Sequence, residues 1–157
     1  GIISVSFKMT LFLTVAVGIF SKFFDAFNTE GSIFEKIDRF LTLHQDLLYK
    51  HRKYPVFFFN EITRKPELIK KLISRLDVSE NFAKLSQQLE QEKREGIIRS
   101  DIEVPQLMIN IVSLSVFPYI GRPIIQEIMS EFDLSYEKFL DERRSMIGQF
   151  VINSIKA

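Results

Sequence analysis

The chain lacks two residue types and is poor in two others. Its 157 residues include no Cys and no Trp, and only 6 Gly and 5 Pro. The absence of Cys excludes a disulfide framework, a thiolate metal site and a cysteine nucleophile. Because so few Gly and Pro residues interrupt the chain, long helices are favoured over many short strands.

The chain also lacks an excess of charge of either sign. Its 21 basic and 20 acidic residues give a net charge of +1, so it offers no broad positive face for a phosphate backbone. We therefore expect these residues by themselves not to bind duplex DNA in a salt-dependent way. The length is typical of a single domain, which we predict to span residues 1–157.

Phenylalanine is abundant, at 16 of 157 residues, and some Phe residues are adjacent, as in Phe57-Phe58-Phe59. Phe fills cores and offers no polar group, so ordinary core packing explains most single positions. Many rigid rings together can also leave gaps, and aromatic side chains are the usual wall of an apolar ligand site.

Hydrophobic periodicity predicts helices along the whole chain and no strand of useful length. Ser32 with Glu35 has the pattern of a capping box, and Ser79 is expected to cap a later helix. The predicted helices are 8–28, 33–50, 56–63, 67–76, 79–95, 104–117, 123–132 and 135–155, with Pro118 ending the sixth. The charged side of helix 79–95, including Glu92, should face solvent. The predicted fold class is all-α, a compact bundle of about eight helices.

The N-terminal apolar run raises the question of a membrane. Met9 to Phe20 is only 12 residues long, whereas a membrane-spanning helix needs about 20. No small-residue cleavage pattern of a signal peptide follows it. We therefore expect residues 8–28 to form one buried helix of a cytoplasmic domain without a membrane partner.

Residues suited to catalysis or metal binding are sparse. His44 and His51 lie seven positions apart on the chain, whereas metal ligands on one helix lie three or four apart. The chain contains no Gly-rich phosphate loop, no His-Glu-x-x-His and no Gly-x-Ser-x-Gly. We predict no enzyme activity, no catalytic residue, no metal site and no cofactor.

Helix 104–117 is apolar on nearly every side, so burial on a second side suggests a partner subunit. Helix 135–155 has an apolar face wide enough for two contacts, and packing only on its own domain is the alternative. Pairing with their symmetry copies would make a four-helix bundle between two subunits and explain both helices at once. We therefore predict a homodimer in which these last two long helices form the interface. Its predicted residues are Leu114, Phe117, Arg143, Met146, Ile147, Phe150, Val151 and Ser154.

A ligand pocket is predicted where apolar faces of several helices converge. Its expected wall residues are Phe20, Phe24, His44, Phe58, Met108, Val112 and Ser115. Met108 can adapt its shape to a gap, and His44 and Ser115 could orient a small apolar ligand. A solid core built from the same residues is the alternative.

Four stretches of the sequence, in this order, resemble one family. They are Lys36-Ile37 with Phe40-Leu41, residues 57–62 with Lys65-Pro66-Glu67, residues 96–101 with Pro105, and residues 139–144 through Phe150-Val151. Together they resemble the ligand-binding and dimerisation domain of tetracycline-repressor-like (TetR) transcriptional regulators over roughly residues 8–156.

The resemblance implies a homodimer that binds a small molecule. Such regulators carry an N-terminal helix-turn-helix domain, which is missing from these residues, so DNA would be a partner only through that missing domain. Two other functions stay open on the residues alone. One is a helical adaptor that binds another protein's helix in an apolar groove, and the other is a lipid or fatty-acyl carrier.

Overall fold

A computed structural model describes the backbone of residues 2–157 and the side chains of residue 4 and residues 7–157. The described chain forms eight α-helices and no strand, which confirms the all-α prediction. The helices are α1 (Ile2–Asn28), α2 (Ile33–Lys50), α3 (Tyr54–Arg64), α4 (Glu67–Ser74), α5 (Val78–Arg94), α6 (Val104–Ile120), α7 (Arg122–Glu131) and α8 (Tyr136–Ile155).

Helix α2 is central in the bundle, where it packs chiefly on α8 and α1. Its N-terminus has the predicted capping box of Ser32 and Glu35. Glu92 adds a second cap, since its buried carboxylate accepts the Ile33 N–H at 3.1 Å. The prediction that Glu92 faces solvent is therefore wrong. The first N–H groups of a helix lack partners within it and attract a carboxylate.

Pro118 lies inside α6, so the prediction that it ends this helix is wrong. Proline has no N–H, which leaves the Leu114 carbonyl without its usual helical donor. Arg143 of α8 supplies donors instead, with Nη2 at 2.7 Å and Nε at 3.3 Å from that oxygen. Helix α6 can therefore continue past Pro118 because a side chain from α8 replaces the missing hydrogen bond.

The segments on either side of α5 depend on residues with positive φ. Gly96 has φ +71°, which fits the predicted role of a glycine that ends a helix. At the other end, the N-cap is Asp77 with φ +46° rather than Ser79, so that prediction is wrong. Asp tolerates the left-handed conformation better than most residues, and the turn at Asp77 follows directly on the buried Leu76.

Helix α1 is less buried than the sequence predicted. Phe7, Leu11 and Val15 are 67%, 53% and 43% exposed, because no other described helix covers that side. The stretch Phe7–Asn28 is long and apolar enough to cross a membrane, with a mean hydropathy of 1.6, and 33% of its most apolar window is buried. Core helices of soluble proteins pass the same test, as does the bent pair α6–α7 here when taken together. The predicted buried helix therefore has one buried side, with Leu13 and Ala16, and one exposed apolar side.

The core differs in composition between its two main regions. Where α2 meets α8 and α6 it is largely aliphatic, and Ile37, Leu41, Ile111 and Val151 are each at most 2% exposed. Between α1, α2 and α3 aromatic rings dominate. The aromatic region contains the cavity described next.

Candidate ligand-binding site

An apolar cavity of about 270 Å³ lies between α1, α2, α3 and α6. Six of the seven predicted pocket residues lie on its wall, namely Phe20, Phe24, His44, Phe58, Met108 and Val112. Ser115 is not on the wall; it is fully buried, and its hydroxyl has no partner among the described residues. The sequence analysis missed other wall residues, among them Phe23, Phe27, Leu47, Tyr54, Phe59 and Phe82.

The aromatic rings of the wall hold one another in place. Phe23 packs edge-on against His44, with ring centroids 4.5 Å apart, and against Phe40 at 5.2 Å. On the other side, Phe58 contacts Phe20 at 5.5 Å and stacks on Phe12 at 5.7 Å. Flat rings held at these angles cannot slide to close a gap, so the packing maintains the cavity.

His44 is a polar group on this apolar wall. The residue is 6% exposed, and its Nδ1 has no hydrogen-bond partner in the described part of the chain. Burial lowers the pKa of His44 to about 4, so the imidazole is neutral at pH 7. A buried polar atom without a partner costs about 1–3 kcal/mol.

Tyr54 is a second polar group on the wall, and the sequence analysis did not identify it. Its hydroxyl is buried and finds no partner within the residues that the structure describes, and burial raises the pKa of Tyr54 to about 12. The hydroxyl therefore stays protonated and can donate a hydrogen bond. The spacing of four residues between Tyr54 and Phe58 could have revealed it, because such residues share one helix face.

The predicted subunit interface divides into exposed and buried residues. Phe117, Met146 and Phe150 are 52%, 64% and 62% exposed, whereas Ile147 and Val151 are 4% and 2% exposed in the domain's own core. Ser154 is exposed, and Leu114 and Arg143 are partly exposed beside a shallow groove of about 350 Å³. We call the exposed apolar residues Phe117, Met146 and Phe150 the outer face. Ile147 and Val151 lie beneath it.

Helix α7 extends the exposed apolar surface in a way the sequence analysis missed. Ile124, Ile128 and Phe132 are 60%, 44% and 69% exposed. Their spacing of four residues places them on one side of the chain as it runs through α7. That spacing is the signal that could have identified them.

Comparison with known proteins gives the family. Residues 35–151 match the family model of the tetracyclin repressor-like C-terminal domain, which covers well over half of the chain. A comparison with curated proteins gave no match. The chain therefore belongs to the TetR-like C-terminal domains, which are ligand-binding and dimerisation domains of transcriptional regulators.

Proposed function

We propose that this domain senses a small apolar molecule bound in the cavity between α1, α2, α3 and α6. We further propose that the domain is a cytoplasmic homodimer joined through the outer face. Ligand binding would then control a helix-turn-helix domain attached before α1. The family supports the general role, and the following observations support its details.

The cavity is the observation that carries the ligand proposal. An apolar cavity of about 150 Å³ stays dry and holds benzene. On the same scale, the 270 Å³ here would hold roughly ten to twelve carbon atoms. The apolar walls favour a molecule that is mostly hydrocarbon.

Helix α1 offers a physical route from the ligand to a preceding domain. Its C-terminal half contributes Ile19, Phe20, Phe23 and Phe24 to the cavity wall. Its N-terminal half carries exposed apolar residues such as Phe7. Helices move as stiff units, so a ligand that displaces the wall at one end of α1 would also displace the surface at the other end.

Helix α6 links the cavity to the proposed dimer. Met108 and Val112 lie on the cavity wall, while Phe117 of the same helix belongs to the outer face. A homodimer requires a self-complementary surface, and the exposed Met146 and Phe150 of α8 lie beside the groove that α8 forms with Leu114 of α6. Ligand and partner subunit would thus contact the same helix from opposite sides.

A ligand screen with a parallel measurement of mass tests this proposal. A neutral apolar probe such as 1-decanol should raise the melting temperature, because it binds only the folded state. Sedimentation at tens of micromolar should give a dimer. If no probe in a broad hydrophobic screen raises the melting temperature, the ligand proposal fails. A monomeric protein that still binds the probes would point to a lipid carrier instead.

A further inference from the structure

The cavity adjoins a more polar cleft at the protein surface. Four side chains, Ile19, Leu47, Leu48 and Tyr54, line both the cavity and a larger outer cleft of about 850 Å³. A molecule longer than the cavity would therefore extend between these residues into the outer cleft.

The outer cleft has positive charge on one wall. Residues 50–53, Lys50-His51-Arg52-Lys53, all line it, and no Asp or Glu does. Arg52 already has a partner, because its Nη2 lies 2.8 Å from the Glu137 carboxylate. Lys50 and Lys53 are exposed, and neither ammonium group has a partner among the described residues. Two positive charges in this cleft are thus left without a counter-charge.

Two further features of the cleft favour an anion. Tyr54 stands where cavity and cleft meet, with a buried hydroxyl that lacks a partner. Tyr54 also begins α3, whose first turn has no acidic residue and whose N-cap, Lys53, makes no side-chain capping bond. The partial positive charge of a helix N-terminus therefore adds to that of the lysines.

The apolar surroundings strengthen the effect of these charges. Val15, Ile19 and Phe57 form part of the same cleft, and apolar walls of low dielectric concentrate the field of nearby charges. An anion held there would be screened less by water than one on an open surface.

We propose that the ligand of this domain is an amphiphilic anion. Its hydrocarbon chain occupies the apolar cavity, and its carboxylate or other anionic head lies at Tyr54 between Lys50 and Lys53. This assignment rests on the proposed ligand-sensing function and adds the chemical class of the ligand.

Three probes that share a ten-carbon chain and differ only in the head test the assignment. They are decanoate, 1-decanol and decyltrimethylammonium, each titrated into the 157-residue protein by calorimetry below its micelle concentration. Decanoate should bind roughly ten-fold more tightly than 1-decanol, which is the scale of one hydrogen bond to a charged group. Decyltrimethylammonium should bind most weakly. Added salt should narrow the difference between decanoate and 1-decanol.

Two variants and one control show where the anionic head of the ligand binds. Lys50→Gln/Lys53→Gln should weaken decanoate binding to about the level of 1-decanol while 1-decanol binding stays unchanged. Lys70→Gln/Lys156→Gln removes the same charge from exposed positions outside the cleft and should alter neither. Tyr54→Phe removes only the hydroxyl that would donate a hydrogen bond to the anionic head. It should therefore weaken the binding of decanoate more than that of 1-decanol.

The outcomes separate the two proposals. If 1-decanol binds as tightly as decanoate, or if the lysine pair has no more effect than its control, the anionic class is wrong and the sensing function stands. Preference for decyltrimethylammonium would likewise overturn the class. If none of the three probes binds, the sensing function itself fails.

Discussion

The inner cavity and the outer face are both apolar, but they differ in shape. The cavity is concave, and its wall comes from helices including α1, α2, α3 and α6 around about 270 Å³. The outer face is a set of exposed side chains on α6 and α8 beside a groove of about 350 Å³. A concave apolar space suits a molecule that fills it, whereas an exposed row suits a second protein surface.

Helix α6 contributes to both surfaces, and this explains why its sequence is apolar on nearly every side. Met108 and Val112 of α6 line the cavity, Ile111 lies in the core, and Phe117 belongs to the outer face. A helix that is apolar all round needs contacts on every side. The comparison shows that only one of these three contacts, the core, is fully provided by the single described chain.

A charge placed on the outer face should prevent dimerisation and leave ligand binding in the cavity unchanged. We expect Phe150→Glu to dissociate the dimer, because burying an unpaired carboxylate at an interface costs about 3–5 kcal/mol. Sedimentation at tens of micromolar would detect the monomer. The melting-temperature increase caused by 1-decanol should persist in that monomer.

The matched control for this variant is Ser145→Glu. Ser145 is exposed, and its position along α8 places it on another side of the helix from Phe150. The same added charge should leave the dimer intact. Equal dissociation in both variants would show that net charge, rather than the outer face, governs assembly.

A change of pH should act on the cavity wall. The folded-state pKa of His44, about 4, is below the ordinary value of 6.5, so the unfolded chain binds the extra proton first. The free energy of unfolding should therefore fall as pH drops from about 6.5 to about 4, by at most about 3 kcal/mol from this group. Urea denaturation at several pH values, at one fixed protein concentration, measures the loss.

Two histidine variants test the assignment of that loss. His44→Phe should remove most of the decrease between pH 6.5 and 4, while His51→Gln, at an exposed position, should retain it. An unchanged pH profile in His44→Phe would show that other groups cause the loss.

Arg143 links α8 to α6, since it lies in the groove beside the outer face and donates a hydrogen bond to the Leu114 carbonyl of α6. Arg143→Met should destabilise the domain by about 1–3 kcal/mol, because a partly buried carbonyl loses its donors. Pro118→Ala restores a backbone N–H for the same carbonyl. In the double variant the loss should be smaller than in Arg143→Met alone, and strict additivity in a denaturation cycle would contradict the assigned role.

Much of the fold followed from local patterns in the sequence. Apolar residues at helical spacing predicted the order and approximate limits of the eight helices. The same spacing predicted that Phe20, Phe24, Met108 and Val112 face inward, and all four line the cavity. Such inferences succeed because periodicity reports which side of a helix is covered.

The errors share a different origin. The sequence predicts that Pro118 ends α6, but Arg143 of α8 donates to the Leu114 carbonyl that Pro118 leaves without a donor. It also predicts that Glu92 faces solvent, but the Glu92 carboxylate accepts the backbone N–H of Ile33. Ser115 is buried away from the cavity wall, and Val151 is buried in the core rather than exposed on the outer face. Periodicity shows that a residue points inward but not which neighbouring helix it meets, so these positions required the tertiary structure.

The central claim is that the cavity is an unfilled binding site, and a pair of Met→Trp variants tests it most directly. Met108 lies on the cavity wall, and Met146 is 64% exposed on the outer face. Melting curves with and without 1-decanol should be recorded for the wild type, Met108→Trp and Met146→Trp.

We predict that Met108→Trp folds with a melting temperature near that of the wild type and shows no stabilisation by 1-decanol. The wild type and Met146→Trp should keep that stabilisation, about 2.7 kcal/mol when the probe is at 100 times its Kd. If Met108→Trp loses about 1–3 kcal/mol or more of stability without any probe, the core was already full. That result, or an unchanged response of Met108→Trp to 1-decanol, would contradict the account.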